Sequence, residues 1–71
     1  MSAGFKLRYR DEGGLYQEWL AHIDNLDVAK AAVEKFVEHG YKFAFEQALD
    51  HEQIAGQIPE GELKFLRVGK Y

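Results

Sequence analysis

The sequence predicts an α+β domain in which two strands, one helix and two more strands follow one another. Three observations support this order: apolar and polar residues alternate near both ends of the chain, an amphipathic segment lies in the middle, and glycines mark the turns between them. With 71 residues, five Phe, four Tyr and one Trp, the chain can fill one small core. We therefore expect residues 1–71 to form a single domain, with residues 1–4 frayed.

The first strand is predicted from a period of two residues. Phe5, Leu7 and Tyr9 lie on one face, and basic residues alternate with them. Residues 11–14 end in two glycines and predict a hairpin turn, so the next strand should run antiparallel to the first.

The second strand, residues 15–23, has two mixed faces, and the sequence leaves open which of them is buried. Trp19 and Ile23 would bury the most apolar area, so we expect them to face the core. The opposite side of the strand would then carry Tyr16, Glu18, Leu20 and His22.

The central helix has recognisable ends. The side chain of Asp24 or Asn25 can accept hydrogen bonds from the free N–H groups of the first turn. Gly40 can end the helix by adopting the left-handed conformation. One apolar stripe at helical spacing would pack on the sheet, made of Leu26, Ala29, Val33, Phe36 and Val37. A second stripe on another side of the helix is acidic and consists of Asp27, Glu34 and Glu38.

The segment after the helix supports two interpretations. Residues 41–48 predict a third strand with Phe43 and Phe45 inward, but residues 43–55 also fit helical spacing, so strand or helix stays open. Asp50 with Gln53 resembles a capping box and predicts a helical turn over residues 51–55.

The last strand is predicted over residues 62–68. Leu63 and Phe65 share a face but Val68 falls out of phase, which predicts either a β-bulge near Leu66 or an outward Leu66.

The element order resembles that of the β-grasp fold. This resemblance implies a mixed four-stranded sheet in which the first and last strands are parallel neighbours at the centre and the helix packs across one face. The alternative is a three-stranded sheet carrying two helices. Because many unrelated functions share such folds, the resemblance concerns architecture alone.

Charge is segregated along the chain. No acidic residue occurs in residues 1–10 or 63–71, and all 12 acids lie between these ends. If the two ends are neighbouring strands, one basic patch should form on the outer sheet face, made of Lys6, Arg8, Arg10, Lys64 and Arg67. The net charge of −3 argues against nonspecific nucleic-acid binding by bulk charge but allows this local patch.

Several kinds of chemistry are poorly supported. The chain has no Cys, which excludes disulfides and thiolate chemistry. His22, His39 and His51 lie in different elements without paired spacing, so we expect surface or helix-end histidines, with His39 in the last helical turn, and no metal site. Ser2 is the only hydroxyl residue besides the tyrosines. We expect no enzyme activity and no cofactor.

We expect a soluble, cytoplasmic protein, because no apolar run reaches the length of a membrane span and cysteine is absent. No small-molecule substrate is evident in the sequence.

The function predicted from these patterns is protein binding. Leu20 and Leu66 would be exposed apolar residues surrounded by charge, so a partner, or a second copy of the chain, could bind the sheet face or an edge strand. The residues that would carry this binding are Arg8, Arg10, Tyr16, Leu20 and Lys64. The alternative is a nucleic-acid-binding module that uses the basic patch. The acidic stripe is a second candidate surface, for a basic partner.

Overall fold

The computed structural model describes residues 3–71 and contains four strands and two helices. In chain order the elements are β1 Gly4–Arg10, β2 Leu15–Ala21, α1 Leu26–Glu34, β3 Lys42–Leu49, α2 His51–Ile54 and β4 Leu63–Lys70. The α+β class is confirmed, and residues 43–55 contain both elements that the sequence left open, a strand followed by a short helix. Of the four residues expected to be frayed, two lie outside the described part of the chain. Ala3 donates its N–H to the Leu49 carbonyl, and Gly4 begins β1.

The sheet is antiparallel throughout, in the order β3-β1-β2-β4. The β-grasp arrangement is therefore not confirmed. Because β2 and β3 occupy the two sides of β1, the last strand lies at an edge beside β2, and no parallel pair forms between the first and last strands. The connection through α2 carries the chain from one edge of the sheet to the other.

The helix α1 covers β1 and β2 on one face of the sheet, which we call the helix face. The Asn25 side chain caps the helix by accepting the Val28 N–H at 3.1 Å. Ala29 and Val33 are fully buried against Phe5, Leu7, Tyr9 and Ala21, with Trp19 and Ile23 packed beside them as predicted. The helix ends at Glu34, earlier than predicted. Turns follow it, and Gly40 takes the expected left-handed conformation at φ 101°.

A second apolar cluster lies on the opposite, outer face of the sheet. Leu20, Leu49, Ile54 and Ile58 are buried there, with Ala3 and Leu66 packed against them. Leu20 was predicted to be exposed, and this is wrong. Its side chain does lie on the outer face, as predicted, but residues 51–58 fold back over this part of the face and leave Leu20 only 2% exposed.

The close approach of α2 to the sheet depends on a glycine. A side-chain Cβ at Gly4 would clash with Ile54 Cδ1 and with the Ala21 carbonyl. The absence of a side chain at Gly4 therefore lets Ile54 enter the cluster.

Both edge strands contain a bulge. The register of β2 and β4 passes from Glu18 opposite Arg67 to Trp19 opposite Phe65, so Leu66 is the extra residue. Of the two alternatives predicted at this position, the β-bulge is present. On the other edge, Ala44 is the extra residue between Phe43 and Phe45. This shift overturns the expectation that both phenylalanines face inward: Phe43 packs in the core beside Tyr9, whereas Phe45 lies exposed on the outer face.

Replacing Leu20 with alanine should lower the free energy of unfolding by about 2–4 kcal/mol, because it leaves a cavity between the sheet and Ile54. Urea unfolding followed by circular dichroism measures this loss. Val28→Ala, at an exposed position on α1, should change stability by less than about 0.5 kcal/mol. If Leu20→Ala lowers the free energy of unfolding as little as Val28→Ala does, residues 51–58 do not cover the outer face.

Candidate interaction surface

The basic residues of the outer face are organised around one buried acid. Glu18 on β2 lies between Arg8 on β1 and Arg67 on β4, and its side chain is 2% exposed. Arg8 Nη2 lies 2.6 Å from Glu18 Oε2, and Arg67 Nε lies 2.6 Å from Oε1. Lys6 Nζ stands 4.0 Å from the same carboxylate. The residues predicted for the basic patch lie on this face, but not on neighbouring strands as expected: β2 separates those of β1 from those of β4, and its Glu18 pairs with three of them.

Two opposing effects act on the pKa of Glu18. Burial disfavours the charged carboxylate and works to raise the pKa, whereas the hydrogen bonds from Arg8 and Arg67 and the nearby charges of Lys6 and Arg67 favour the charged form. The favourable contacts outweigh burial, and the pKa of Glu18 lies below its ordinary value of 4.5. Glu18 is therefore ionised at neutral pH.

The other candidate residues on the outer face also make internal contacts. The Arg8 guanidinium lies 4.4 Å from the Tyr16 ring centroid, and the Arg10 guanidinium lies 3.5 Å from that of Tyr71. Lys64 is exposed opposite Leu20. Of the five residues predicted to bind a partner, Leu20 is buried and the two arginines stack on aromatic rings, so this face is much less available than the sequence suggested.

The acidic stripe does not form along one helix. Asp27 lies exposed in the first turn of α1, Glu34 is its last residue, and Glu38 follows in the turns because the helix ends early. Glu34 Oε2 accepts the Tyr9 hydroxyl at 2.9 Å. Burial and the Glu34 carboxylate raise the pKa of Tyr9, so the phenol keeps its proton and donates it in this hydrogen bond.

Of the three histidines expected at surface or helix-end positions, His39 and His51 are exposed, and the expectation is wrong for His22. His22 is buried, and its Nδ1 donates to the Ile58 carbonyl at 2.9 Å. This hydrogen bond attaches the segment between α2 and β4 to the end of β2. The His22 ring centroid stands 6.3 Å from that of His51, the first residue of α2. His39 lies in the turns after α1 rather than in its last turn. Within residues 3–71 no cluster of three or more potential ligands could hold a metal ion.

The most exposed apolar surface lies on the helix face beside β4. We call it the β4 patch and define it as Trp19, Phe36, Phe65 and Val68. The rings of Trp19 and Phe36 stack with centroids 6.1 Å apart, and Phe65 meets Trp19 edge-on at 5.3 Å. Phe36, Phe65 and Val68 are nevertheless 64%, 45% and 52% exposed. A shallow groove of about 300 Å³ adjoins the patch, lined by Trp19, Phe36, Glu62 and Leu63.

The β4 patch is exposed because α1 does not reach the edge of the sheet. The helix packs over β1 and β2 and ends at Glu34, so Phe36 extends from the following turn toward β4. The sequence did not reveal this patch, since the last strand was placed at the centre of the sheet, where a helix would cover it. The Leu66 bulge is the one available signal, because it returns Val68 to the face that carries Phe65.

The backbone beside the patch is also available. The His22 N–H donates to the Glu62 carbonyl, and the Tyr71 N–H donates to the Gly14 carbonyl. Glu62 and Tyr71, which flank β4, therefore direct these groups toward the side of β2. Hydrogen-bonding direction alternates along an antiparallel strand. Phe65 and Val68 therefore direct their N–H and C=O groups away from β2, toward an edge on which no strand of residues 3–71 pairs.

Comparisons of this chain with protein-family models, with curated proteins and with solved structures found no match. Over the described residues, no helix combines the length and the apolarity needed to cross a membrane. Function must therefore be inferred from the surface itself.

Glu18→Gln should lower the free energy of unfolding at pH 7 by about 1–3 kcal/mol, because the arginines lose the charge that they share. It should also flatten the acid dependence. A carboxyl whose pKa is lower when folded stabilises the protein above its unfolded pKa, and that stabilisation is lost as the pH falls through the folded value. Urea unfolding at several pH values between neutrality and pH 3 tests this. If the wild type and Glu18→Gln lose stability equally as the pH falls, the result would contradict the proposed role of the Glu18 carboxylate.

Proposed function

We propose that this protein is a non-enzymatic interaction module that binds a partner protein through the β4 patch. The observation that carries the proposal is that three aromatic side chains pack together beside a sheet edge on which no strand of residues 3–71 pairs, with the exposed Val68 on the same face. Exposed apolar surface of this kind is typical of protein-binding sites, where aromatic side chains supply most of the binding energy.

The composition of the patch favours binding over catalysis. Trp19, Phe36, Phe65 and Val68 offer contact area and one indole N–H, but no nucleophile and no titratable group. The indole N–H is already used, since Trp19 Nε1 donates to Gln17 Oε1 at 3.2 Å. What the surface offers a ligand is apolar area.

A protein partner is better supported than a nucleic acid. Phosphate binding would need free cations, and Arg8 and Arg67 are bonded to Glu18 while Arg10 stacks on Tyr71. The aromatic side chains of the β4 patch lie on the opposite face of the sheet from these cations. A nucleic acid would therefore have to stack its bases on one face of the sheet and place its phosphates on the other.

Phe65→Asp and Phe36→Asp should each reduce the binding of patch-directed peptides at least about tenfold, because they place charge within the apolar contact. The ligands would be selected on the wild-type protein from a library of random displayed peptides. Phe45→Asp is the matched control: Phe45 is 53% exposed, but it lies on the opposite edge strand and the opposite face.

Circular dichroism establishes that each variant is folded, and Phe36 is the safer position because it is the more exposed. Selected clones that tolerate both substitutions in the β4 patch would overturn the proposal. So would a selection that enriches only clones sensitive to Phe45→Asp.

A further inference from the structure

We infer that the partner presents an extended segment, with apolar and acidic residues in alternation, which adds to the sheet as a fifth strand beside β4. This inference rests on the proposed function and specifies the chemistry of its ligand. Its support comes from three features of the same edge: the backbone, the apolar face and the charge.

The backbone of β4 is ready to pair along the stretch that adjoins the patch. Phe65 and Val68 point their N–H and C=O groups outward, and their side chains belong to the β4 patch. The Leu66 bulge lies between these two residues, so a segment that follows the bulge could bond to both. Its side chains opposite Phe65 and Val68 would lie over the patch, because residues opposite each other in a sheet share a face.

The remaining side chains of such a segment would meet positive charge. Lys64 and Arg67 lie on the outer face of β4, with Lys64 exposed and Arg67 more than half exposed despite its bond to Glu18. Residues 63–71 contain three basic residues and no acid. An incoming strand with acidic residues on this side would complement the exposed Lys64, whereas lysine there would be repelled. Arg67 is bonded to Glu18 and adds less to this attraction.

The opposite edge lacks this combination. The exposed β3 residues on the helix face are Glu46 and Ala48, which offer little apolar area, and Phe45 lies on the outer face over the Arg8 guanidinium. Extension of the sheet at β4 therefore gains more contact than extension at β3.

Charge also disfavours a second copy as the occupant. Two antiparallel copies of β4 would bring Lys64 and Arg67 of both copies together on the outer face, where β4 carries no acid. Pairing of β4 with β3 of another copy would be a head-to-tail contact. The exposed β3 residues on the outer face there are Lys42, Phe45 and Gln47, which offer Lys64 no acid. An acidic strand from another protein would therefore complement the charge of β4 better than a second copy of this chain would.

The test is a titration of Trp19 fluorescence with a synthetic peptide of about eight residues that alternates glutamate with valine. We expect saturable binding of this peptide. A version with lysine for glutamate, and a version with a central proline, should bind at least about tenfold more weakly, because the first is repelled and the second lacks a backbone donor.

Two protein variants of equal charge change complete the test. Lys64→Glu should weaken binding of the acidic peptide by about three- to tenfold, since it reverses one exposed contact. Lys42→Glu, at an exposed position on β3, should leave binding unchanged. Val68→Pro removes an outward N–H without removing a bond to β2, and it should abolish binding in a protein whose circular dichroism is unaltered.

Failure of the inference can be told apart from failure of the proposed function. Library peptides that depend on Phe65 but are helical, or carry no acids, would overturn the strand-addition inference and leave the proposed function standing. Equal binding by wild type and Lys64→Glu would do the same. Dimers that disappear in Val68→Pro would identify a second copy as the occupant, and salt-sensitive binding of oligonucleotides alone would overturn both proposals.

Discussion

The rest of the structure depends on the burial of one carboxylate between two guanidinium groups, one on each of the strands that flank it. Glu18 on β2 bonds to Arg8 on β1 and to Arg67 on β4, so it links three strands across the outer face. Burying this acid without both partners would be costly, which favours a register that brings all three together. A β-grasp order would place β4 beside β1 and separate Arg67 from Glu18 by a strand. The ion network and the observed order β3-β1-β2-β4 are therefore mutually consistent.

This network has a consequence for where a ligand can bind. It neutralises part of the basic patch, while residues 51–58 cover Leu20 at the other end of the same face. The outer face thus carries little free apolar surface apart from Phe45. The helix face has more free apolar surface, because α1 is short and is positioned over β1 and β2. The edge strand β4 combines uncovered aromatic side chains, outward backbone groups and cations, and this combination is the basis of the proposed protein-binding function.

The sequence predicted the local elements better than their arrangement. Alternation in β1, the Asn25 cap, the Asp50 capping box and the Leu66 bulge all depend on residues close in the chain. The alternation and the capping box were predicted outright, and the cap and the bulge were each one of two predicted alternatives. The burial of Leu20 and His22 was not predicted, because it depends on Ile54 and Ile58, more than thirty residues away. Glu18 was predicted only to lie on the outer side of the second strand, since a single sequence does not show that two arginines converge on it. The β4 patch was missed because strand order decides whether Phe65 is central or at an edge.

Amide hydrogen exchange along β4, measured by NMR with and without a bound peptide, tests the central claim most directly. The outward amides of Phe65 and Val68 should exchange rapidly in the free protein, because they have no partner among the described strands. Binding should slow both of them while the amides of β3 keep their rates. Unchanged exchange at Phe65 and Val68 in a saturated complex, or protection confined to β3, would contradict the assignment of β4 as the binding edge.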